Sequence, residues 1–160
     1  MPKELKPVNK VKIKLLDVDG TVLKEDEVTN TVTQGWSNTC AYLALNGARP
    51  TGGTTAPDSI VICASSQTID ATSSTQYHTT LNNATGLTGS YYYGNTTNSL
   101  SGGTITAQAT ITATASFTVA EILLGIGMNS QGANIPIAYS TYNATLNANQ
   151  QIQITWQLNF

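Results

Sequence analysis

Apolar and polar residues alternate most regularly in the last third of the chain. From Gln151 to Phe160, Ile152, Ile154, Trp156, Leu158 and Phe160 take one side of an extended strand, and Gln151, Gln153, Thr155, Gln157 and Asn159 take the other. A period of two marks a half-buried β-strand. Thr104 to Ala115 repeats the pattern, with Ile105, Ala107, Ala109, Ile111, Ala113 and Ala115 set against Thr104, Thr106, Gln108, Thr110, Thr112 and Thr114. Its apolar side is mostly alanine, so a facing layer can approach closely. Phe117 to Ile126 is apolar on both sides and predicts a central strand. Ile135 to Tyr142 and Ser59 to Ala64 add further strands, and Val11 to Leu16, Asp17-Val18-Asp19-Gly20 and Thr21 to Leu23 read as strand, turn and strand, with Asp-Gly as the hairpin signal.

Between Thr29 and Leu45 the period changes. Trp36, Cys40, Leu43 and Ala44 fall at helical spacing and Gly47 suits a C-cap, which predicts one short helix. Asn46 to Pro57 and Ser65 to Asn83 read as long loops, and residues 1 to 10, charged and carrying Pro2 and Pro7, as a flexible arm. The expected architecture is all-β: a jelly-roll-like β-sandwich of seven or eight strands over residues 11 to 160, one domain, preceded by the arm.

Composition changes the picture at one point. Only 10% of residues are charged, where roughly 25% is usual. All seven Lys and Arg lie at or before Arg49, and residues 50 to 160 hold only Asp58, Asp70 and Glu121 of the nine acids. Acid unfolding proceeds largely by protonating carboxylates that the native state holds ionised, so a surface this poor in carboxylates is nearly indifferent to pH. It suits harsh extracellular conditions; a drift towards Thr and Asn in a strand- and turn-rich chain accounts for it equally. A net charge of −2 argues against a nucleic-acid partner. No run is long and apolar enough for a membrane span, and Met1 to Pro7 is followed by no apolar leader segment, so synthesis in the cytoplasm is expected.

Candidate chemistry is sparse. Leu15 to Val22 is similar to the first motif of haloacid dehalogenase-type phosphatases, a resemblance that implies attack by Asp17 and acid-base work by Asp19. Such a site also needs a later cation and a carboxylate pair for magnesium. After Lys24 the only Lys or Arg is Arg49, and after Asp70 the only acid is Glu121, so a plain hairpin turn is the better reading. Asp17, Asp19 and Glu25-Asp26-Glu27 lack the ligand spacing of a calcium loop. Cys40, Cys63 and the lone His78 make no zinc pattern; the cysteines are either two buried thiols or one disulfide. No metal or cofactor site is expected, and no catalytic residue. Glu121, among apolar neighbours, must be hydrogen-bonded, protonated or at a rim, and a structural role is expected of it. Tyr91, Tyr92 and Tyr93 offer either a surface for a glycan or partner, or a strand with one ring inward and two partly exposed. Asn83, Asn95 and Asn143 begin Asn-x-Thr triplets.

From Thr104 onward the order of features resembles structural proteins of tailed bacteriophages and archaeal viruses. The resemblance rests on the Thr and Ala strand, on Val119-Ala120-Glu121-Ile122-Leu123-Leu124-Gly125, on Ile137-Ala138-Tyr139-Ser140 and on Ile152-Gln153-Ile154-Thr155-Trp156-Gln157-Leu158. The Thr- and Asn-rich, charge-poor character is also similar to virion proteins of viruses infecting archaea of hot acidic springs. The resemblance implies a non-enzymatic capsid, decoration, turret or fibre component, homo-oligomeric, bound to other virion proteins, made in the host cytoplasm and exposed outside it. The charged start, with Lys3, Lys6, Lys10, Lys12 and Lys14, would dock on the particle while the uncharged remainder faces outward. A carbohydrate-binding or adhesion module using Tyr91 to Tyr93 is the alternative.

Overall fold

The alternating segments pair into two antiparallel five-stranded sheets in the computed structural model, which describes residues 9–33, 57–67, 87, 89–126 and 135–159. Ten strands are described: β1 (Lys10–Leu16), β2 (Val22–Thr29), β3 (Thr31–Val32), β4 (Ser59–Cys63), β5 (Tyr91–Asn95), β6 (Thr97–Ser101), β7 (Thr104–Thr112), β8 (Phe117–Ile126), β9 (Ile135–Leu146) and β10 (Gln151–Asn159). The first sheet runs β2-β1-β10-β7-β6 and the second β3-β9-β8-β4-β5. Seven or eight strands were expected. The larger number arises partly because β2 passes to β3 through Asn30 alone and β5 to β6 through Thr96 alone, each single residue carrying the chain from one sheet to the other. The predicted helix around Trp36 to Gly47 lies outside the described residues, as do residues 1 to 8. At the end of the expected arm Lys10 opens β1, and Asn9, just before the strand, accepts from the Asn159 amide through its Oδ1 at 3.0 Å.

The core lies between the sheets and is built from the alternating residues. Ile152, Ile154, Trp156 and Leu158 of β10 meet Val11, Ile13 and Leu15 of β1 and Ala107, Ala109 and Ile111 of β7 on one inner face. Ile60 and Ile62 of β4, Phe117, Val119, Ile122, Leu124 and Ile126 of β8, and Ile137, Tyr142 and Leu146 of β9 cover them from the other. Fully burying an aliphatic side chain of this size contributes about 1.5–3 kcal/mol, so the position of β10 at the centre of its sheet makes its sequence pattern the strongest single determinant of the fold. The Trp156 indole N–H is satisfied by the Asn30 side-chain oxygen at 3.2 Å, and the same amide donates to the Asn9 carbonyl at 3.0 Å.

Strand β8 departs from simple alternation. Between Val119 and Glu121 its register against β9 shifts, and the core-facing set changes from Phe117 and Val119 to Ile122, Leu124 and Ile126. A local irregularity of this kind re-aims side chains. Phe117, Val119, Glu121 and Leu123, expected on one side, are therefore divided: the first two face the core, and Glu121 and Leu123 face the outer side of the second sheet. There Leu123 joins Val61, Cys63 and Leu87 in a second, smaller apolar cluster. A second shift, between Leu124 and Gly125, falls opposite Pro136, where a residue without an N–H is accommodated in a ladder.

The alanine face of β7 admits its neighbour as anticipated. Gly94 of β5 sits over it so closely that a Cβ there would lie 3.0 Å from Ile111 Cγ1, 3.1 Å from Ala109 Cβ and 3.2 Å from the Thr110 carbonyl oxygen. This contact closes the corner where the chain crosses from β5 to β6.

Candidate functional site

The polar and aromatic groups gather on the outer face of the first sheet, at the Asp26–Tyr142 edge, in the Asp17–Gly20 turn, along the tyrosine strand and around the buried Glu121. On the first, side chains opposite the core form rows across five strands. Glu27, Lys12, Thr155, Gln108 and Thr97 make one row, and Thr29, Lys10, Gln157, Thr106 and Ser99 another, as the ladder registers dictate. All the charge on this face falls on β1 and β2, while β10, β7 and β6 present only Gln, Thr, Ser and Asn. Lys10 Nζ donates to Glu27 Oε1 and Lys14 Nζ pairs with Glu25 Oε1, both at 2.8 Å. These pairs are exposed, and pairs of that kind contribute little to stability; their effect is to neutralise the lysine row locally. Among the expected docking lysines, Lys10, Lys12 and Lys14 thus lie side by side in β1, whereas Lys3 and Lys6 lie outside the described residues. Charged and uncharged regions share this face and divide it from edge to edge.

Asp26 has the opposite orientation to Glu25 and Glu27. It reaches the edge of the sandwich, where Lys24 Nζ lies 2.7 Å from its Oδ2 and the Tyr142 hydroxyl donates to the same oxygen at 2.6 Å. The Lys24 contact, then the Tyr142 hydroxyl, hold its carboxyl below the usual carboxylate range, and burial together with Asp26 pushes the Tyr142 phenol upward. Tyr142 comes from β9, so this is a polar clasp between the sheets. The Ser140 hydroxyl, donating to the Thr29 carbonyl at 2.8 Å, is a second.

Asp17 and Asp19 are occupied by the hairpin turn. Asp17 Oδ1 accepts from the Val18 amide and Asp19 Oδ1 from the Thr21 amide, each at 2.9 Å, and Gly20 takes the positive φ of +85° that the turn requires. The amide of Thr21 holds the Asp19 carboxyl low. Among the described residues no three His, Cys, Asp or Glu side chains gather as metal ligands, and no helix is long and apolar enough to cross a membrane.

The tyrosines divide by strand alternation. Tyr92 points inward, its ring edge-on to Phe117 with centroids 4.9 Å apart and its hydroxyl 3.0 Å from Thr114 Oγ1. Tyr91 packs on the smaller apolar cluster, and Tyr93 is 48% exposed. The three rings therefore form no single platform. A groove of about 520 Å³ takes Tyr91 and Tyr92 with Phe117, Ser90 and Ser116, and leaves Tyr93 out.

Glu121 is 3% exposed, beside its ladder partner Cys63 on the outer side of the second sheet. Its Oε1 accepts from the Gln67 amide at 3.3 Å. Burial raises its carboxyl above the usual range against the opposing pull of the Gln67 and Ser66 hydrogen bonds. Cys63 is a buried free thiol, pushed up to about 12 by burial and then by Glu121, which leaves it unreactive at neutral pH. Cys40 and His78 lie outside the described residues, as does Asn83. Asn95 and Asn143 are exposed on strands. What sequence reasoning missed is β6: Thr97 to Ser101 is polar except for Leu100 and exposed on both sides, so no periodicity announces it, and its one signal is the Gly102-Gly103 pair that turns it into β7.

These features define the class as an antiparallel β-sandwich with one sheet face divided between a charged edge and an uncharged expanse. Comparison with protein-family models, curated proteins and solved structures finds no match to this chain.

Proposed function

We propose that this chain is a non-enzymatic structural protein of a virion, a capsid, decoration, turret or fibre component that is assembled in the host cytoplasm and faces the exterior. The observation that carries the reading is the outer face of the first sheet, where β10, β7 and β6 show hydroxyls and amides without a single charge. Such a face hydrogen-bonds to water or to a neighbouring subunit in the same way at any pH, as a particle surface in an acidic medium requires. The charged β1–β2 edge, with Lys10, Lys12 and Lys14, is the side we assign to docking on other virion proteins. A jelly roll is the finer form that goes with the proposal: crossings between sheets at β2–β3, β5–β6, β7–β8 and β9–β10 favour it, whereas β1–β2, β4–β5, β6–β7 and β8–β9, each pair side by side in one sheet, do not.

The alternative, a carbohydrate-binding or adhesion module, draws on the Tyr91 and Tyr92 groove and the exposed Tyr93. Mass spectrometry of purified particles decides the first reading, which expects this chain in many copies per particle and is refuted by its absence. Glycan-array binding that disappears in Tyr91→Ala and Tyr93→Ala variants decides for the second.

A further inference from the structure

We infer that β6 is a dimerisation edge at which a second copy of this chain adds its own β6 antiparallel, fusing two five-stranded sheets into one of ten. The turn between β6 and β7 fixes which backbone groups are on offer. Gly102 and Gly103 both have positive φ, +56° and +77°, and Ser101 pairs with Thr104. A two-residue turn of this type makes its flanking residues a hydrogen-bonded pair. Hydrogen bonding then alternates, so Ser99 and Thr97 bond to β7, and Asn98 and Leu100 direct their N–H and C=O groups away from it.

Every residue of β6 is exposed, and Leu100 is 74% exposed. Natural edges are usually guarded by charge, proline or a cover. The opposite edge of the same sheet has that guard, since β2 carries Lys24, Glu25, Asp26 and Glu27. No Asp, Glu, Lys or Arg occurs between Asp70 and Glu121, so β6 has none.

The occupant is a second copy because the edge is complementary to itself. With Ser99 on the two-fold axis, Asn98 of one copy stands opposite Leu100 of the other, and the two pairs exchange four backbone hydrogen bonds with none left over at these residues. Leu100 loses its exposure to the partner strand. The uncharged face continues across the junction through Thr97, Ser99 and Ser101, and the charged β1–β2 ladders are carried to the two far edges, where they cannot repel. Closure by a two-fold uses each edge once and yields a dimer, not a fibre. The inference rests on β6 and not on the virion reading, so particle composition and solution assembly can fail separately.

Sedimentation equilibrium on the full chain, from micromolar concentrations upward, tests it. The expected species has twice the 16.9 kDa chain mass. Leu100→Lys, which adds a charge at the junction, should raise the dimer dissociation constant by about tenfold or more. Asn98→Pro, which leaves the β6–β7 bonds intact but removes an outward N–H and the Asn98 Nδ2 bond to the Pro57 carbonyl at 2.6 Å, should do the same, and Asn98→Ala, which gives up the side-chain bond alone, should not. Val22→Lys on the far edge should leave the constant unchanged. Ser99→Cys should cross-link to its partner copy on mild oxidation and Thr97→Cys should not, since only position 99 meets itself. A monomer at all concentrations, a polymer, or a dimer that withstands Leu100→Lys and cross-links no better through position 99 than through position 97 overturns the proposal.

Discussion

Replacing Gly94 with alanine tests the closest approach between the two sheets. Gly94 does not have positive φ, so its backbone accepts alanine without strain. On an open strand the change would stabilise by about 0.4–1 kcal/mol, because alanine restricts the unfolded chain. Here the added methyl meets Ile111 Cγ1 at 3.0 Å, Ala109 Cβ at 3.1 Å and the Thr110 carbonyl oxygen at 3.2 Å. Ile111 is 2% exposed and branched at Cβ, and the other two atoms are backbone or fixed to it, so none can turn aside freely. Overpacking of this kind costs about 1–3 kcal/mol, so at mid-range values it outweighs the entropic gain and leaves a net loss of about 1.3 kcal/mol, the extremes running from about 0 to 2.6 kcal/mol. Urea unfolding at neutral pH should show a lower midpoint with unchanged slope, and thermal unfolding a drop of about 2–8 °C. The Gly94→Ala penalty should shrink in an Ile111→Ala background, where Cγ1 is gone, a coupling expected only of side chains in contact. A Gly94→Ala protein as stable as the parent, or more so, would show that β5 and β7 do not pack as described.

Three further outcomes follow from the polar groups. Glu121 has a folded-state pKa above its unfolded value, so the native state holds the proton more tightly and stability falls as pH rises from about 4.3 through the folded pKa; Glu121→Gln should therefore gain on the parent at pH 7 and lose that advantage near pH 4, and a difference independent of pH in urea midpoints refutes this. Asp26, Glu27 and Asp19 have the opposite sign, their stabilisation being complete above the unfolded pKa and lost as pH falls through the lowered folded values. Acid sensitivity should thus reside in β1–β2, with Asp26→Asn flattening the dependence below about pH 4 and hydrogen exchange at low pH rising in that hairpin first. Tyr92→Ala should cost about 2–3 kcal/mol for its inward ring and Tyr93→Ala no more than about 0.5 kcal/mol, as measured by denaturant unfolding.

Legibility in the sequence followed periodicity. β10 and β7 alternate without a fault, and both stand where alternation puts them, although β7 ends at Thr112, short of the expected Ala115, which is exposed beyond it. The Asp17 to Gly20 turn was readable from Asp-Gly, but the strand after it runs on to Thr29 through Glu25, Asp26 and Glu27, charged residues that pattern alone assigns to a loop. In the sheet Glu25 stands opposite Lys14, and Glu27 stands opposite Lys12 and diagonal to Lys10, whose ammonium it accepts; these are relations between strands and not a property of either. In β8 the change of core-facing side at Ala120 defeats a single period of two, although Phe117 and Val119 against Ile122, Leu124 and Ile126 is the trace it leaves. β6 leaves no such trace, since an edge strand exposed on both faces has no inside to mark.

The charge map gains its meaning from topology. In the sequence, charge is a matter of order: bases and most acids come first and the uncharged stretch follows. In the sandwich, β1–β2 occupies one edge of the first sheet and β6–β7 the other, with β10 between them, so order along the chain becomes position across a single face. β10 is the boundary strand. Its Gln and Thr side chains adjoin the lysine row of β1 on one side and the hydroxyls of β7 on the other, and Gln151 and Gln153 reach the Thr112 and Thr110 hydroxyls at 3.3 and 3.5 Å. The two edges differ in charge: on the readings proposed above, the β1–β2 edge is the one assigned to docking and the neutral β6 edge the one assigned to pairing with a second copy. A protein with one edge of each kind can dock through the first and pair through the second, and exchanging the charge of the two edges should exchange those roles.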